Sequence, residues 1–270
     1  MTAPTTTGTL RPTSAQITTE TRTLQGGATG PVEVTFEDRD RTRTFLLLHG
    51  GGGVATMAGF ADLLAERTRS RVLLPTHPGF GGTPKAAGLT GVAALAQAYV
   101  TMLDELDLTD VTVVGNSFGG WLAAEIALLG SPRVSGAVII DGVGIEVEGR
   151  PMTDVRGLAP AEIRSYSFHD PSKAPAAPGG GNGPSPDVRA LIGYAGPTMF
   201  DPTLADRLGG LDLPVHVLWG ESDGIVTPQY GRAFAAAIPS SKFTLLPRTG
   251  HLPQVEAPEQ LLSALLDPAH

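Results

Sequence analysis

The sequence contains no cysteine, so disulfide bonds and thiol catalysis are excluded, while the redox compartment stays open. Long apolar runs are also missing, and no stretch approaches the roughly 20 residues that a membrane-spanning helix needs. Basic residues are the minority: 19 Lys and Arg stand against 27 Asp and Glu, a net charge of −8 that argues against nucleic acid or an anionic membrane as a partner. Neither a metal-ligand spacing nor a dinucleotide-binding fingerprint occurs, so we expect no cofactor.

The 270 residues are 41% hydrophobic, which is enough for a sizeable core. This length favours one α/β domain with an insertion over two independent domains. Residues 1–22 are rich in threonine and lack the basic cluster and apolar stretch of a secretory signal, so we interpret them as a flexible lead-in. A cytoplasmic location is the corresponding expectation.

The most informative stretch is a Gly-x-Ser-x-Gly motif centred on Ser117. It follows a β-branched run and precedes a helical pattern, which is the strand–turn–helix context of a nucleophile elbow. A turn this sharp strains the backbone of the nucleophile and needs small neighbours, which Gly115 and Gly119 provide. The Ser117 hydroxyl would then stand above the sheet edge, where the backbone N–H of Phe118 can point at a developing oxyanion. The alternative is a serine that only caps a helix.

Four consecutive glycines follow His49, directly after the apolar run of residues 44–48. Such a run offers no side-chain packing and costs backbone entropy, so it indicates a need for close approach of the backbone. A substrate oxyanion is the natural candidate for that approach. We predict Gly51 as the second oxyanion donor, with Gly52 as the next choice, and we expect Gly52 and His49 to lie beside the substrate.

Strand-like and helical patterns alternate along the chain, which predicts a mostly parallel, eight-stranded sheet with helices on both faces. Residues 17–25 and 32–38 predict an antiparallel hairpin. Ligands of such sheets bind beyond the carboxyl ends of the strands. His49, Ser117 and Asp141 each follow a predicted strand at that edge.

The regular pattern fails between residues 142 and 210, where glycine and proline are frequent. We interpret this segment as a cap or lid inserted between two parts of the core, residues 23–141 and 211–270. Short helices are expected near residues 161–168, 187–194 and 202–208. Apolar side chains of the cap are expected to line an acyl or aromatic pocket: Tyr166, Phe168, Leu191, Tyr194, Met199 and Phe200.

An unassisted serine hydroxyl is a poor nucleophile and needs a histidine base, which in turn needs an orienting acid. His251 lies in a loop after a late strand and is preceded by glycine, which makes it the candidate base. Asp223 is the preferred acid over Glu221, because the following Gly-Ile-Val-Thr-Pro suits a turn into a helix. Asp141 is the second choice, since it ends the strand after the nucleophile strand.

The order Ser117, Asp223, His251 is the order of α/β-hydrolases, and the chain resembles that superfamily over residues 20–266. The resemblance implies a catalytic triad of these three residues and an oxyanion hole formed by Phe118 and Gly51. The motifs that carry it begin at His49, His77, Gly115, Gly220 and Gly250.

The Asn-Ser-Phe at the elbow is similar to that of meta-cleavage-product hydrolases, which cleave C–C bonds and use a cap arginine for a substrate carboxylate. Here Arg164 or Arg189 would have to serve. A serine at the elbow argues against epoxide hydrolases and haloalkane dehalogenases.

We therefore expect a serine hydrolase of small carboxylic esters, thioesters or lactones, with a small-molecule substrate as its partner. A C–C hydrolase is the second hypothesis, and a lyase or perhydrolase on the same triad is the third. A small-ligand receptor on the hydrolase fold is the non-enzyme alternative. The sequence does not fix the oligomeric state or the substrate.

Overall fold

The computed structural model describes residues 17–26, 30–39, 43–149, 152–155, 157–175 and 185–267. The strands in chain order are β1 (Ile17–Gly26), β2 (Gly30–Arg39), β3 (Thr44–Leu48), β4 (Arg71–Thr76), β5 (Val111–Asn116), β6 (Val134–Ile140), β7 (Val215–Gly220) and β8 (Ser241–Leu246). The α-helices are α1 (Ala55–Thr68), α2 (Val92–Glu105), α3 (Phe118–Leu128), α4 (Pro160–Ser167), α5 (Pro186–Ala195), α6 (Leu204–Leu208), α7 (Pro228–Ala236), α8 (Pro253–Glu256) and α9 (Pro258–Leu266).

All eight strands form one open sheet in the order β1-β2-β4-β3-β5-β6-β7-β8. Strands β3 to β8 run parallel to their neighbours, while β1 and β2 pair antiparallel and β2 pairs antiparallel with β4. The expected mostly parallel, eight-stranded sheet is confirmed. From β3 the chain steps to β4 on one side and later to β5 on the other, so the sheet has its topological switch point there.

The hairpin of β1 and β2 follows from the period-two pattern, because the buried Val32, Val34 and Phe36 of β2 alternate with less buried residues. Residues 17–22, which the sequence analysis assigned to the lead-in, form the first part of β1. Residues 1–16 lie outside the described part of the chain.

Two apolar layers cover the sheet. Helices α2, α3 and α7 contribute to a large cluster on one face, which includes the buried Tyr99, Trp121 and Phe234. Helix α1 and helix α9 contribute to the cluster on the other face, around Phe60 and Leu261. All of β3 and all of β5 except the half-buried Thr112 are buried, because helices cover both faces of these strands.

Helices α4, α5 and α6 lie in the segment between β6 and β7, where the sequence predicted a cap with short helices. Of the helices that the structure describes, none is long and apolar enough to cross a membrane.

Candidate active site

Ser117 stands between the end of β5 and the start of α3 in a left-handed backbone conformation, with φ +56° and ψ −117°. Its N–H donates to the carbonyl of Ile140 at 2.9 Å, and its carbonyl accepts the N–H groups of Gly120 at 2.9 Å and Val143 at 3.2 Å. A non-glycine residue in this region stores about 1–3 kcal/mol of strain and persists only where its surroundings hold it. Hydrogen bonds from the N–H and to the carbonyl therefore fix the backbone on both sides of the half-buried Ser117.

The glycines around Ser117 are required by close backbone packing. A Cβ atom at Gly115 would collide with the carbonyl of Gly119, and a Cβ atom at Gly119 would collide with the carbonyl of Leu48. At Gly120 a Cβ would lie 2.8 Å from Cα of Gly142. Helix α3 therefore starts in direct contact with β3 and β5, which is the steric reason for the Gly-x-Ser-x-Gly pattern.

Asp223 and His251 form a buried acid–base pair. Oδ2 of Asp223 accepts from Nδ1 of His251 at 2.7 Å, and Oδ1 of Asp223 accepts the N–H groups of Ile225 at 2.8 Å and Val226 at 3.0 Å. Asp223 is 3% exposed and His251 is 7% exposed. Three donors stabilise the ionised carboxylate, and the bond to Nδ1 leaves Nε2 of His251 as the basic nitrogen.

The loop that carries His251 is attached to the elbow through Asn116, the residue before Ser117. Nδ2 of Asn116 donates to the carbonyl of His251 at 3.0 Å and to that of Ile140 at 3.2 Å, while Gln254 donates to Oδ1 of Asn116 at 3.0 Å. The Ser117 hydroxyl makes no hydrogen bond with any residue the structure describes. Serine–histidine bonds of ligand-free enzymes are often long and tighten when substrate binds.

The two other candidate acids differ in their surroundings. Glu221 is exposed and accepts the backbone N–H of Arg248 at 3.0 Å. Asp141 is fully buried, and the ligand atoms of Asp141, Asp223 and His251 all lie within 4.8 Å of one another. These three residues also form a group close enough to hold a metal ion, but the 2.7 Å bond within it is that of an acid–base pair.

The glycine run lies against the elbow. A Cβ at Gly50 would be 2.9 Å from Cβ of Ser117, so the loop backbone touches the candidate nucleophile. The N–H of Gly51 has no acceptor among the described residues. Phe118 is the first residue of α3, so its N–H has no intrahelical acceptor. Leu191 of α5 covers this loop, with Cδ2 only 2.7 Å from where a Cβ of Gly51 would stand.

His49 forms hydrogen bonds that hold the start of the glycine loop in place. Its Nε2 accepts the N–H of His77 at 3.1 Å, so its Nδ1 carries the proton and donates to the carbonyl of Gly50 at 2.8 Å. Burial lowers the pKa of His49 to about 4 and holds the pKa of His77 well below its usual value. Nδ1 of His77 lies 2.6 Å from the Tyr99 hydroxyl. The His49 ring has no exposed surface, whereas Gly52 is exposed.

Helix α5 of the cap is docked on the core through Tyr194. Its hydroxyl donates to the carbonyl of Pro78 at 2.9 Å, and its ring centroid lies 6.0 Å from that of Phe118. Burial raises the pKa of this hydroxyl above its usual range. Tyr194 therefore packs between the cap and the base of the elbow.

The other cap residues expected near the substrate occupy two places. Tyr166 is 41% exposed and its carbonyl accepts an N–H of the loop after β7, while Phe168 is buried beside it. Met199 and Phe200 are half-buried, and Phe200 forms an isolated bridge with Gly144 in the loop after β6.

Glu256 was not among the residues predicted from the sequence, yet it joins the loop after α4 to the loop that carries His251. Its buried carboxylate accepts the N–H groups of His169 at 3.1 Å, Asp170 at 2.7 Å and Gly250 at 2.8 Å. The only signal was an acidic residue five positions after His251, at the end of the short α8, and no sequence motif gives such a carboxylate a role.

Comparison with known proteins gives one matching family, several related sequences and several similar structures. A sequence model of the alpha/beta hydrolase family matches residues 45–264. The chain is 34% identical over 122 residues to the 2-hydroxy-6-oxo-2,4-heptadienoate hydrolase of Pseudomonas putida, an alignment that spans only 44% of each protein.

Two solved structures share the fold. A thermophilic esterase from Thermogutta terrifontis is 24% identical with a TM-score of 0.71, and the match covers 91% of this chain and 96% of the esterase. A meta-cleavage product hydrolase variant from Pseudomonas fluorescens is 19% identical with a TM-score of 0.68, covering 90% and 95%. At these identities the likeness shows the fold alone.

Proposed function

The chain belongs to the alpha/beta hydrolase family, and from that premise we propose that it is a serine hydrolase that cleaves small carboxylic esters, thioesters or lactones. The observation that carries this proposal is the 2.7 Å bond between His251 and Asp223, in a loop attached to the strained elbow of Ser117. A nucleophile, a base and an orienting acid are the parts that acyl transfer requires.

In the proposed first half-reaction, Nε2 of His251 takes the proton of the Ser117 hydroxyl as the oxygen attacks the acyl carbon. The N–H groups of Phe118 and Gly51 stabilise the oxyanion of the tetrahedral intermediate, an interaction that is stronger in the transition state than in the ground state. The intermediate collapses when the imidazolium of His251 gives its proton to the leaving alcohol, thiol or ring oxygen. An acyl ester on Ser117 remains.

In the second half-reaction, His251 removes a proton from a water molecule that attacks the acyl-enzyme. The same N–H groups hold the second oxyanion, and the proton returns from His251 to the Ser117 oxygen as the acid leaves. Asp223 stays ionised throughout, since it keeps the tautomer of His251 and offsets the charge of the imidazolium.

A second candidate is hydrolysis of a C–C bond in a vinylogous diketone. It is favoured by the 34% identity to a 2-hydroxy-6-oxo-2,4-heptadienoate hydrolase, although the alignment covers less than half of that enzyme. The candidate requires a cation for the substrate carboxylate. Arg164 is half-buried on α4 and Arg189 is exposed on α5, and either would have to turn toward the substrate.

The test is a panel of short p-nitrophenyl esters, thioesters, lactones and a 2-hydroxy-6-oxo-dienoate, given to the parent protein and to Ser117→Ala. Ser263→Ala on the exposed face of α9 is the matched control. We expect turnover by the parent and by Ser263→Ala, and loss of at least 10³-fold in kcat with Ser117→Ala.

The kind of substrate with the highest turnover decides between the two candidate functions: esters, thioesters or lactones favour the first, and the dienoate favours the second. Parent-like hydrolysis by a folded Ser117→Ala protein would overturn both. Tight binding of these compounds without turnover by the parent would overturn the enzyme in favour of a small-ligand receptor.

A further inference from the structure

Asp141 is a buried carboxyl group whose hydrogen bonds are incomplete. It follows β6 with a positive φ of +46° and has no exposed surface. Its Oδ1 accepts the N–H of Gly220 at 2.8 Å. Its Oδ2 is buried and finds no donor among the described residues. An ionised oxygen left this way costs far more than a protonated one, because desolvation is not compensated.

The titratable groups next to Asp141 are Asp223 from the loop after β7 and His251 from the loop after β8, all within 4.8 Å of one another. Asp223 accepts three N–H donors, whereas Asp141 accepts one. Two buried carboxylates this close together do not both ionise at neutral pH, and the one that accepts more hydrogen bonds keeps the charge.

Burial is the main reason that the pKa of Asp141 is raised well above its usual value, and the nearby charge of Asp223 raises this pKa further. Ionised carboxylates only accept hydrogen bonds, so Oδ2 of Asp141 can bond to the neighbouring carboxylate only if one of the two groups carries a proton. The donor count assigns that proton to Oδ2 of Asp141.

Resting on the proposed serine hydrolase, we propose that Asp141 is a positioning residue that stays protonated at neutral pH and donates a hydrogen bond to the carboxylate of Asp223. The acid–acid–base cluster then carries one negative charge, which orients Nδ1 of His251. It follows that Asp141 is also a reserve acid: when Asp223 is made neutral, Asp141 loses the like charge beside it, ionises and orients His251 itself.

The first test is a double-mutant cycle on kcat with the best substrate from the panel. Asp141→Asn should stay within about threefold of the parent, because its amide can donate to Asp223 and accept from Gly220 as the acid does. Neutralising the acid of a triad costs about 10⁴-fold where no second carboxyl is present. We expect the fold-loss of kcat in Asp223→Asn to be at most one tenth of that value. Asp223→Asn combined with Asp141→Asn should show the full loss of kcat.

Asp206→Asn on the exposed side of α6 is the matched control, and it should change neither background. A purely structural role for Asp141 would instead give the same fold-loss from Asp141→Asn in both backgrounds. That outcome, or a large loss from Asp141→Asn alone, would overturn the proposal.

A second measurement does not depend on turnover. With aspartate labelled by ¹³C at the carboxyl carbon, the parent should show one protonated carboxyl signal at pH 7. This signal should persist in Ser117→Ala and Asp206→Asn and vanish in Asp141→Asn. Its absence from the parent would refute the protonated Asp141 even if the hydrolase activity is found, whereas its presence in an inactive parent would refute the hydrolase alone.

Discussion

Replacing Glu256 tests whether this carboxylate holds the histidine loop in place. Its oxygens accept three backbone N–H donors: Oε2 binds those of Gly250 and His169, and Oε1 binds that of Asp170. Hydrogen bonds to a charged group contribute about 1.5–3 kcal/mol each when they are lost from a buried site. Glu256 is only 4% exposed, so water cannot fully replace these bonds.

Glu256→Gln should keep the two bonds of Oε2 and lose the one of Oε1, because an amide NH₂ cannot accept a hydrogen bond. We expect a loss of about 2 kcal/mol in the free energy of unfolding, or roughly 4–8 °C in Tm. Since Gly250 keeps its acceptor, kcat should stay within about threefold of the parent.

Glu256→Ala loses all three bonds and should cost about 4 kcal/mol, since part of the loss is recovered by water. Gly250 directly precedes His251, so the loop that carries the base loosens and kcat should fall by about ten- to a hundredfold. Urea unfolding, thermal melts and steady-state kinetics measure these effects. Glu259→Gln is the control, because its exposed ion pair with Arg67 contributes at most about 1 kcal/mol.

A Tm and kcat of Glu256→Ala equal to those of the parent would refute the role of this carboxylate. Equal losses in Glu256→Gln and Glu256→Ala would show that charge, and not the number of acceptors, stabilises the loop.

Three further predictions concern the core and the elbow. Arg207→Met should lower the free energy of unfolding in urea by about 2 kcal/mol, because the Glu125 side chain, 6% exposed, loses two 2.7 Å bonds. Adding Glu125→Gln to this variant should recover part of the loss. No recovery would contradict the ion-pair explanation. Gly119→Ala should sharply lower soluble yield or Tm, because the added methyl meets the carbonyl of Leu48, and normal folding would contradict that contact. The free energy of unfolding should fall by about 2 kcal/mol as the pH drops from 7 to 5, from His49 alone. The pKa of His49 is about 4 in the folded chain, below the usual 6.5, so over this range mainly the unfolded chain takes up the proton. Urea midpoints that do not change over this range would contradict the prediction.

The elbow could be predicted from sequence because it depends on local chemistry. Gly115 and Gly119 indicate a backbone contact that only glycine permits, and the structure shows which carbonyls they meet. The order of Ser117, Asp223 and His251 reflects the order of strands in the sheet, so topology alone brings their loops to one edge. Their catalytic roles stay predictions until the variants are assayed.

Other features depend on contacts between distant segments. The sequence favoured Asp223 as the acid and kept Asp141 as the second choice, and only the folded loops show Asp223 bonded to His251 with Asp141 nearby. Cap residues were chosen for being apolar, yet Tyr194 donates its hydroxyl to the carbonyl of Pro78 while its ring lies beside Phe118, which no periodicity could reveal.

By itself, the sequence determined the alternation of strands and helices, the strained serine turn and the absence of thiol chemistry, because periodicity, glycine sterics and residue type are local properties of the chain. Tertiary structure decided which carboxyl group contacts the imidazole, and it placed Glu256 against both the loop of His251 and the segment after α4. Those outcomes depend on desolvation and donor counts, which exist only after residues far apart in the chain have been buried together.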